Sequence, residues 1–319
     1  MRHLFRELDG WFFARGGPRS AAAFRIAFCA LFLFMLWDFY PVMPLLFGHR
    51  GMFGTMEETL LATSSWKHLL FHHDSPWELT LWFWGATLVT VLALVGLWTR
   101  LTVVLTFAMV ILFQERDPFM LYGADVVFRC VGVWLLFLDS GSVWSVDRWW
   151  AARRGRAARL EIALWPLKAV QVQMALIYLI AALLKLKTAP WQEGTAVYYA
   201  LHMRDLNPYF FEALLPYRFV FPVMTYATLL VEGLLPFCLF YRPLRLWALA
   251  AGVGLHLGID ILFSIRFFSL AMYCGYLSFL DEGHWAWAGQ WLARVREGDS
   301  LEYWRIRLAA RADDGKGVP

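Results

Sequence analysis

The chain has 319 residues, of which 60% are hydrophobic and 18% aromatic, and its mean hydropathy is +0.51. Soluble domains run at about 45–50% apolar, so this composition excludes a water-soluble globule. The formal net charge of +4 does not indicate nucleic acid, because the basic residues gather at the ends of apolar runs.

Only helices or closed barrels cross a bilayer, and these runs are too long and too continuously apolar for barrel strands. The sequence therefore predicts an all-α, polytopic helical membrane protein. Cys29, Cys130, Cys238 and Cys274 each fall inside an apolar run. They read as small buried hydrophobes, not as a disulfide framework or a redox pair.

In chain order, residues 1–19 mix aromatics with arginines, as in a short helix lying in the membrane interface, and Gly16-Gly17-Pro18 breaks it. The charged, aromatic start and the long first run predict no cleavable signal peptide. The first span covers residues 20–46 and contains Arg25 and Asp38. A polar excursion over 47–76 holds a short amphipathic helix at 56–70. Further spans follow at 77–98, 101–114 and 122–138, the last carrying Asp125 and Arg129. After the basic stretch 148–159, spans follow at 167–186, 219–241, 244–263 and 267–280. An amphipathic piece over 285–295 precedes a charged tail. With no internal repeat and no soluble domain, the chain reads as one membrane domain: an interfacial N-terminal helix over 1–19, a transmembrane bundle over 20–281 and a cytoplasmic amphipathic tail over 282–319.

Eight spans put both termini on one side. With that side cytoplasmic, inner segments hold 18 Lys and Arg and outer segments six, the bias that the positive-inside rule demands. The outer side then receives the end of the fifth span, the 115–122 turn, the 187–218 segment and the end of the seventh span.

The fifth span draws attention. Gln171, Tyr178, Ala182 and Lys185 follow at spacings of seven, four and three and share one helical stripe. Ala181 and Ala182 are small enough for a neighbouring backbone to come close. Lys185 lies inside the apolar run, Lys187 follows, and Pro190 cannot continue the helix. Such a lysine either snorkels to the interface or acts as a base. Ionisable residues in a membrane are expensive, about 2.5–3.5 kcal/mol each on insertion scales. Asp125, Arg129, Lys185, His256 and Asp260 all fall toward the outer half of the bundle. Asp125 and Arg129, at i and i+4, suit an internal ion pair as well as a site; Lys185 and His256 are predicted to share one cavity.

Four stretches, in order, carry a resemblance. They are Met120-Leu121-Tyr122-Gly123; Val143-Trp144-Ser145-Val146-Asp147; Tyr178 to Trp191 with Glu193-Gly194; and His256-Leu257 with Leu262-Phe263-Ser264-Ile265. Together they resemble the membrane domain shared by vitamin K-dependent gamma-carboxylase and its bacterial relatives, the HTTM family, over residues 20–281. On that resemblance Lys185 falls on the family's catalytic lysine; His256, predicted to share its cavity, is the second candidate catalytic residue. Tyr178, Trp191, Glu193, Asp117, Tyr122, Asp125, Arg129 and Asp260 become the candidate substrate- or cofactor-binding residues.

The implied cofactor is a quinol, a vitamin K-like hydroquinone, and no metal is expected. Burial disfavours an ammonium, so a pocketed lysine can act as a neutral amine and take a proton from a quinol hydroxyl. The implied partners are membrane lipid and a small exported peptide. Two departures bear on the activity. Pro118 stands where the carboxylase has a histidine, and the chain ends soon after the eighth span, without a large lumenal region. The resemblance then implies a quinol-dependent reaction at the outer face of an inner membrane, with a non-catalytic transport, export or immunity role as the alternative.

Three other groups are weighed. His68 and His72 have the spacing of a helical metal pair beside His73 and Asp74, but an interfacial polar face explains them equally. The arginines over 148–159 serve as orientation signals and could hold anionic lipid. Glu232-Gly233 with Pro236 suggests a kink around a buried acid of structural kind.

Overall fold

The computed structural model describes residues 2–48, 51, 75–116, 121–203, 214–263 and 265–296. The chain divides into two compact units, Met1–Phe279 and Leu280–Pro319. The amphipathic helix expected at 56–70, with His68, His72, His73 and Asp74, lies outside the described residues, as do Asp117, Pro118 and Met120.

The apolar runs become helices punctuated by proline, glycine and polar caps. After α1 (Arg2–Phe12), Pro18 opens α2 (Arg19–Phe39). A 3-10 turn at Tyr40–Val42 and α3 (Met43–Phe47) prolong α2 into a single apolar stretch of 29 residues. Helix α4 (Pro76–Val95) starts from a Ser75–Glu78 capping box. It stops at Gly96, whose φ of 71° needs a residue free of a Cβ. Next come α5 (Thr99–Arg116), α6 (Gly123–Gly132) with a 3-10 extension at Val133–Phe137, and α7 (Val146–Arg153). Helix α8 (Trp165–Lys185) precedes two short helices, α9 (Ala189–Gln192) and α10 (Ala196–His202). Then follow α11 (Val220–Cys238), α12 (Arg245–Leu262) and α13 (Arg266–Tyr276), the last with a 3-10 turn at Leu277–Phe279.

All eight expected spans are thus helical, with ends within about three residues of those read from the sequence. Among the described residues five are long and apolar enough to cross a membrane singly: α2–α3, α4, α8, α11 and α12. Helix α5 carries Arg100, Glu115 and Arg116, while α6 and α13 are short.

Helix α2 is the hub. In its most apolar window 61% of residues are buried, against 22–39% in the other four. It packs on α4 and α13; α8 runs along α11, α11 along α12, and α13 contacts α6, α8 and α12. Trp84 and Leu88 on α4, Leu183 on α8, Leu230 on α11 and Trp247 on α12 point outward and are exposed, as lipid-facing positions should be.

The Val143–Asp147 motif is a staple at one end of this bundle. The Asp147 carboxylate accepts from the backbone N–H groups of Trp98 and Thr99 at 2.9 and 2.7 Å and from the Thr99 hydroxyl at 2.7 Å. It thereby caps the otherwise unpartnered start of α5. The Asp147 N–H donates to the Gly96 carbonyl at 3.0 Å. The Trp144 carbonyl accepts from Nη2 of Arg25 at 2.6 Å, and that arginine is fully buried in α2. Trp98 and Trp144 hold φ values of 48° and 50°, a region costly for residues with a Cβ. The motif therefore joins α2, the α4–α5 turn and α7.

One element was not expected. Arg15–Gly16 and Ile162–Ala163 form a two-residue antiparallel ladder, β1 and β2, tying the stretch before α2 to the stretch before α8. Two residues are too few to carry a period-two pattern. In the second unit, α14 (Glu282–Arg296) forms the expected amphipathic helix, with Trp287, Trp291 and Leu292 exposed. Its start is held by Asp281, which accepts from the His284 N–H at 3.2 Å. Partial burial would raise the Asp281 carboxyl, but the hydrogen bonds and the charge of His284 outweigh it and hold the group below its ordinary range.

Candidate functional site

The site is built on the stripe of α8 that faces its neighbours. Gln171, Met174, Tyr178 and Ala182 are buried along it, and the Gln171 side chain donates to the Ser278 carbonyl at 2.6 Å. Lys185 is the last residue of the helix and continues the stripe. The chain then folds back on itself. The Thr188 hydroxyl donates to the Lys185 carbonyl at 2.9 Å, and the Gln192 amide donates to the Leu186 carbonyl at 2.7 Å. Pro190 starts α9. Gly194 turns the chain with φ of 75°, and a Cβ there would stand 3.1 Å from Pro222 and Tyr226. Tyr226 in turn donates to the Gln192 carbonyl at 2.9 Å. This hairpin places the Trp191 ring over Lys185, with Nζ 5.0 Å from the ring centroid, in cation–π range. Lys187 and Glu193 are exposed, and Glu193 brings no side-chain contact to the site.

Lys185 Nζ donates to both carboxylate oxygens of Glu232 on α11. The Glu232 side chain is 8% exposed and that of Lys185 26%. The anion is thus the more deeply held member of the pair. The sequence predicts one cavity for Lys185 and His256 and does not single out Glu232, which is the residue that hydrogen-bonds the lysine.

Two turns earlier on α8, about 10 Å along the axis, lies a second cluster. The Tyr178 hydroxyl is 2.7 Å from Nε2 of His256 and also bonds the hydroxyl of Tyr276. Gly252, one turn before His256 on α12, makes room for Tyr276: a Cβ there would lie 2.8 Å from Cζ of that ring. Phe268, Tyr273 and Tyr276 surround the imidazole, and its buried Nδ1 has no hydrogen-bond partner among the described residues. Behind it, Ser269 Oγ lies 2.6 Å from Oδ1 of Asp260 and 3.2 Å from the His256 carbonyl. Asp260 therefore belongs to the support of His256. The two clusters adjoin: Glu232 is within electrostatic reach of Tyr178 and Tyr276, and Lys185 of His256.

The other candidates form a separate network. Gln114 on α5 donates to Oδ1 of Asp125 at 2.9 Å and accepts from Nε of Arg129 at 2.5 Å. Arg129 pairs with Glu115 at 2.5 Å. Asp125 and Arg129 are thus joined through the Gln114 amide, and α5 continues to Arg116 and brings Glu115 alongside Arg129. The other carboxylate oxygen of Asp125 accepts from the Tyr122 N–H at 3.1 Å and caps α6. No hydrogen bond joins Asp125, Arg129 or Gln114 to Lys185.

Sequence reasoning passed over Glu232 as the partner of Lys185, although an acid inside an apolar run has to find a cation. It also passed over Tyr276, one of 12 tyrosines with no spacing signal to mark it.

Comparison with known families matches the HTTM domain to residues 16–285. No curated protein and no solved structure matches the chain.

Proposed function

We propose that this chain, which belongs to the HTTM family, is a quinol-dependent membrane enzyme in which Lys185 is the base. The family places the bundle among gamma-carboxylase-like membrane domains. The observation that carries the finer reading is the Lys185–Glu232 pair. It sits at the end of an apolar helix, under an aromatic ring and beside a Tyr–His–Tyr cluster.

Two buried opposite charges gain from each other but lose their hydration. Passing the proton from Nζ to the Glu232 carboxylate removes both charges at once. What remains is a neutral amine whose lone pair accepts from the carboxyl O–H it has just formed, and turning that O–H away frees the lone pair. That amine can take a proton from a hydroxyl brought to it. Glu232 therefore acts as the proton reservoir and Lys185 as the group that touches the substrate. Two features favour a flat hydroxylated ring as the ligand: the Trp191 face beside Lys185, and Nδ1 of His256, which has no hydrogen-bond partner among the described residues. When bound, a quinol supplies an acidic hydroxyl and two electrons for molecular oxygen. Tyr178 and Tyr276 hold His256 in place, and the exported substrate we assign is a small peptide.

The purified protein in nanodiscs, given a reduced naphthoquinone, is expected to consume oxygen above the rate of empty nanodiscs, and Lys187→Ala is expected to keep most of that rate. No uptake above the blank would remove the quinol from the proposal. The ion pair itself favours one other reading, a non-catalytic bundle in which Lys185 and Glu232 only hold α8 to α11.

We also place both termini in the cytoplasm of a cell with a bacterial-type inner membrane, from the 18-to-six distribution of basic residues. A cysteine introduced at position 155 should react with a membrane-impermeant maleimide only after the cells are opened; labelling in intact cells would invert the orientation.

A further inference from the structure

At the stapled end of the bundle a cavity of about 320 Å³ opens between the start of α5, the segment after α6 and the segment after α7. Arg100, Arg148, Arg156 and Arg159 line it together with Asp139 and Asp147. The two acids are already engaged. Asp139 pairs with Arg159 at 2.8 Å, and both oxygens of Asp147 accept from the first residues of α5. Arg148 uses Nη1 on the Arg156 carbonyl at 2.9 Å, a neutral partner that leaves its charge uncompensated. Arg100 and Arg156 are exposed, and no described residue pairs with either guanidinium. The lining thus carries four arginines against two carboxylates, an excess of two positive charges. The opposite wall is apolar, made by Val103, Leu135, Leu136 and Leu138.

We infer that this cavity is a binding site for a phosphate-bearing anion, with guanidinium groups on the phosphate oxygens. Guanidinium groups match phosphate geometry by paired N–H donation. The phosphate has two sources, an anionic phospholipid headgroup or a soluble phosphate. The apolar wall suits the glycerol and upper acyl carbons of the lipid, and basic pockets between membrane helices on the cytoplasmic side are where such headgroups bind.

The test is binding by the full chain in detergent micelles, followed by native mass spectrometry and by thermal shift. The probes are phosphatidylglycerol, phosphatidylcholine and inorganic phosphate. Saturable binding of phosphatidylglycerol at least tenfold tighter than that of phosphatidylcholine is expected. It should weaken at least tenfold in the double variant Arg100→Gln, Arg156→Gln and by a smaller factor in Arg100→Lys, Arg156→Lys, which keeps the charge but not the paired donation. Neither side chain holds another element in place, so both variants should melt with the unliganded wild type. Inorganic phosphate that binds as tightly as the lipid, with the same loss in the glutamine variant, would keep the site and assign it to soluble phosphate. Binding that is equal for the two lipids and weak for phosphate, or that is unchanged in the glutamine variant, would overturn it.

Discussion

Lys185→Met combined with Glu232→Leu is expected to give a protein nearly as stable as the wild type and without quinol turnover. The two single variants should differ from it and from each other. Lys185→Met leaves a carboxylate that is 8% exposed with no cation; breaking a buried pair in this way costs about 3–5 kcal/mol. Glu232→Leu leaves a lysine that is 26% exposed, at a helix end where the long stem can carry its charge to the interface. Its cost should be smaller, about 1.5–3 kcal/mol, the range of a lost hydrogen bond to a charged group. Replacing both residues by apolar ones of similar volume removes the unpaired charge, and such replacements are often neutral or stabilising. Denaturation in mixed micelles reads the stabilities and oxygen uptake reads the activity. Stability restored with activity still absent separates a base from a strut. If the double variant turns over quinol, the pair serves only to hold α8 against α11.

The second large effect is structural and lies in the Val143–Asp147 staple. Asp147→Ala should cost about 2–4 kcal/mol, since it removes a charged acceptor from two backbone N–H groups and one hydroxyl at the start of α5. The loss should exceed that of Ser145→Ala, which removes one cap bond of 3.0 Å to the Arg148 N–H and one hydroxyl bond of 2.5 Å to the Gly141 carbonyl and should cost about 1–2 kcal/mol. Asp147→Asn keeps one acceptor oxygen and should fall between the two. Melting of the three purified variants side by side checks the order; an Asp147→Ala protein as stable as the wild type would mean that the motif does not hold this end of the bundle together. Arg25 adds to the expectation, because its buried charge lies within electrostatic reach of Asp147.

The membrane spans were legible because length and hydropathy are properties of a segment by itself. The lipid-soluble surface demands a continuous apolar run, and the backbone then has no choice but a helix. The stripe of Gln171, Tyr178, Ala182 and Lys185 was equally legible, since helical period alone puts these residues on one face. What no single segment contains is which helix that face meets. Glu232 stands 47 residues from Lys185 and Tyr276 stands 98 from Tyr178, and neither distance has a sequence signature. Helix ends were the other weak point. The third span was expected to stop at Gln114, which made Glu115 a turn residue. One further half-turn of α5 made it the partner of Arg129 instead. The Val143–Asp147 motif was visible as a string, but its work as a cap and an arginine anchor depends on Gly96, Trp98 and Thr99 at the α4–α5 turn and on Arg25 in α2.

The most direct test of the account is oxygen-linked quinol turnover by Lys185→Arg. Arginine keeps a positive charge at the end of α8, can still pair with Glu232 and can still lie under Trp191, so the ion pair and the fold survive. It cannot give up its proton in a protein. The account predicts a folded, wild-type-stable protein with turnover at the level of the empty-nanodisc blank, while Lys187→Arg stays active. Turnover by Lys185→Arg within a few fold of the wild type would contradict it.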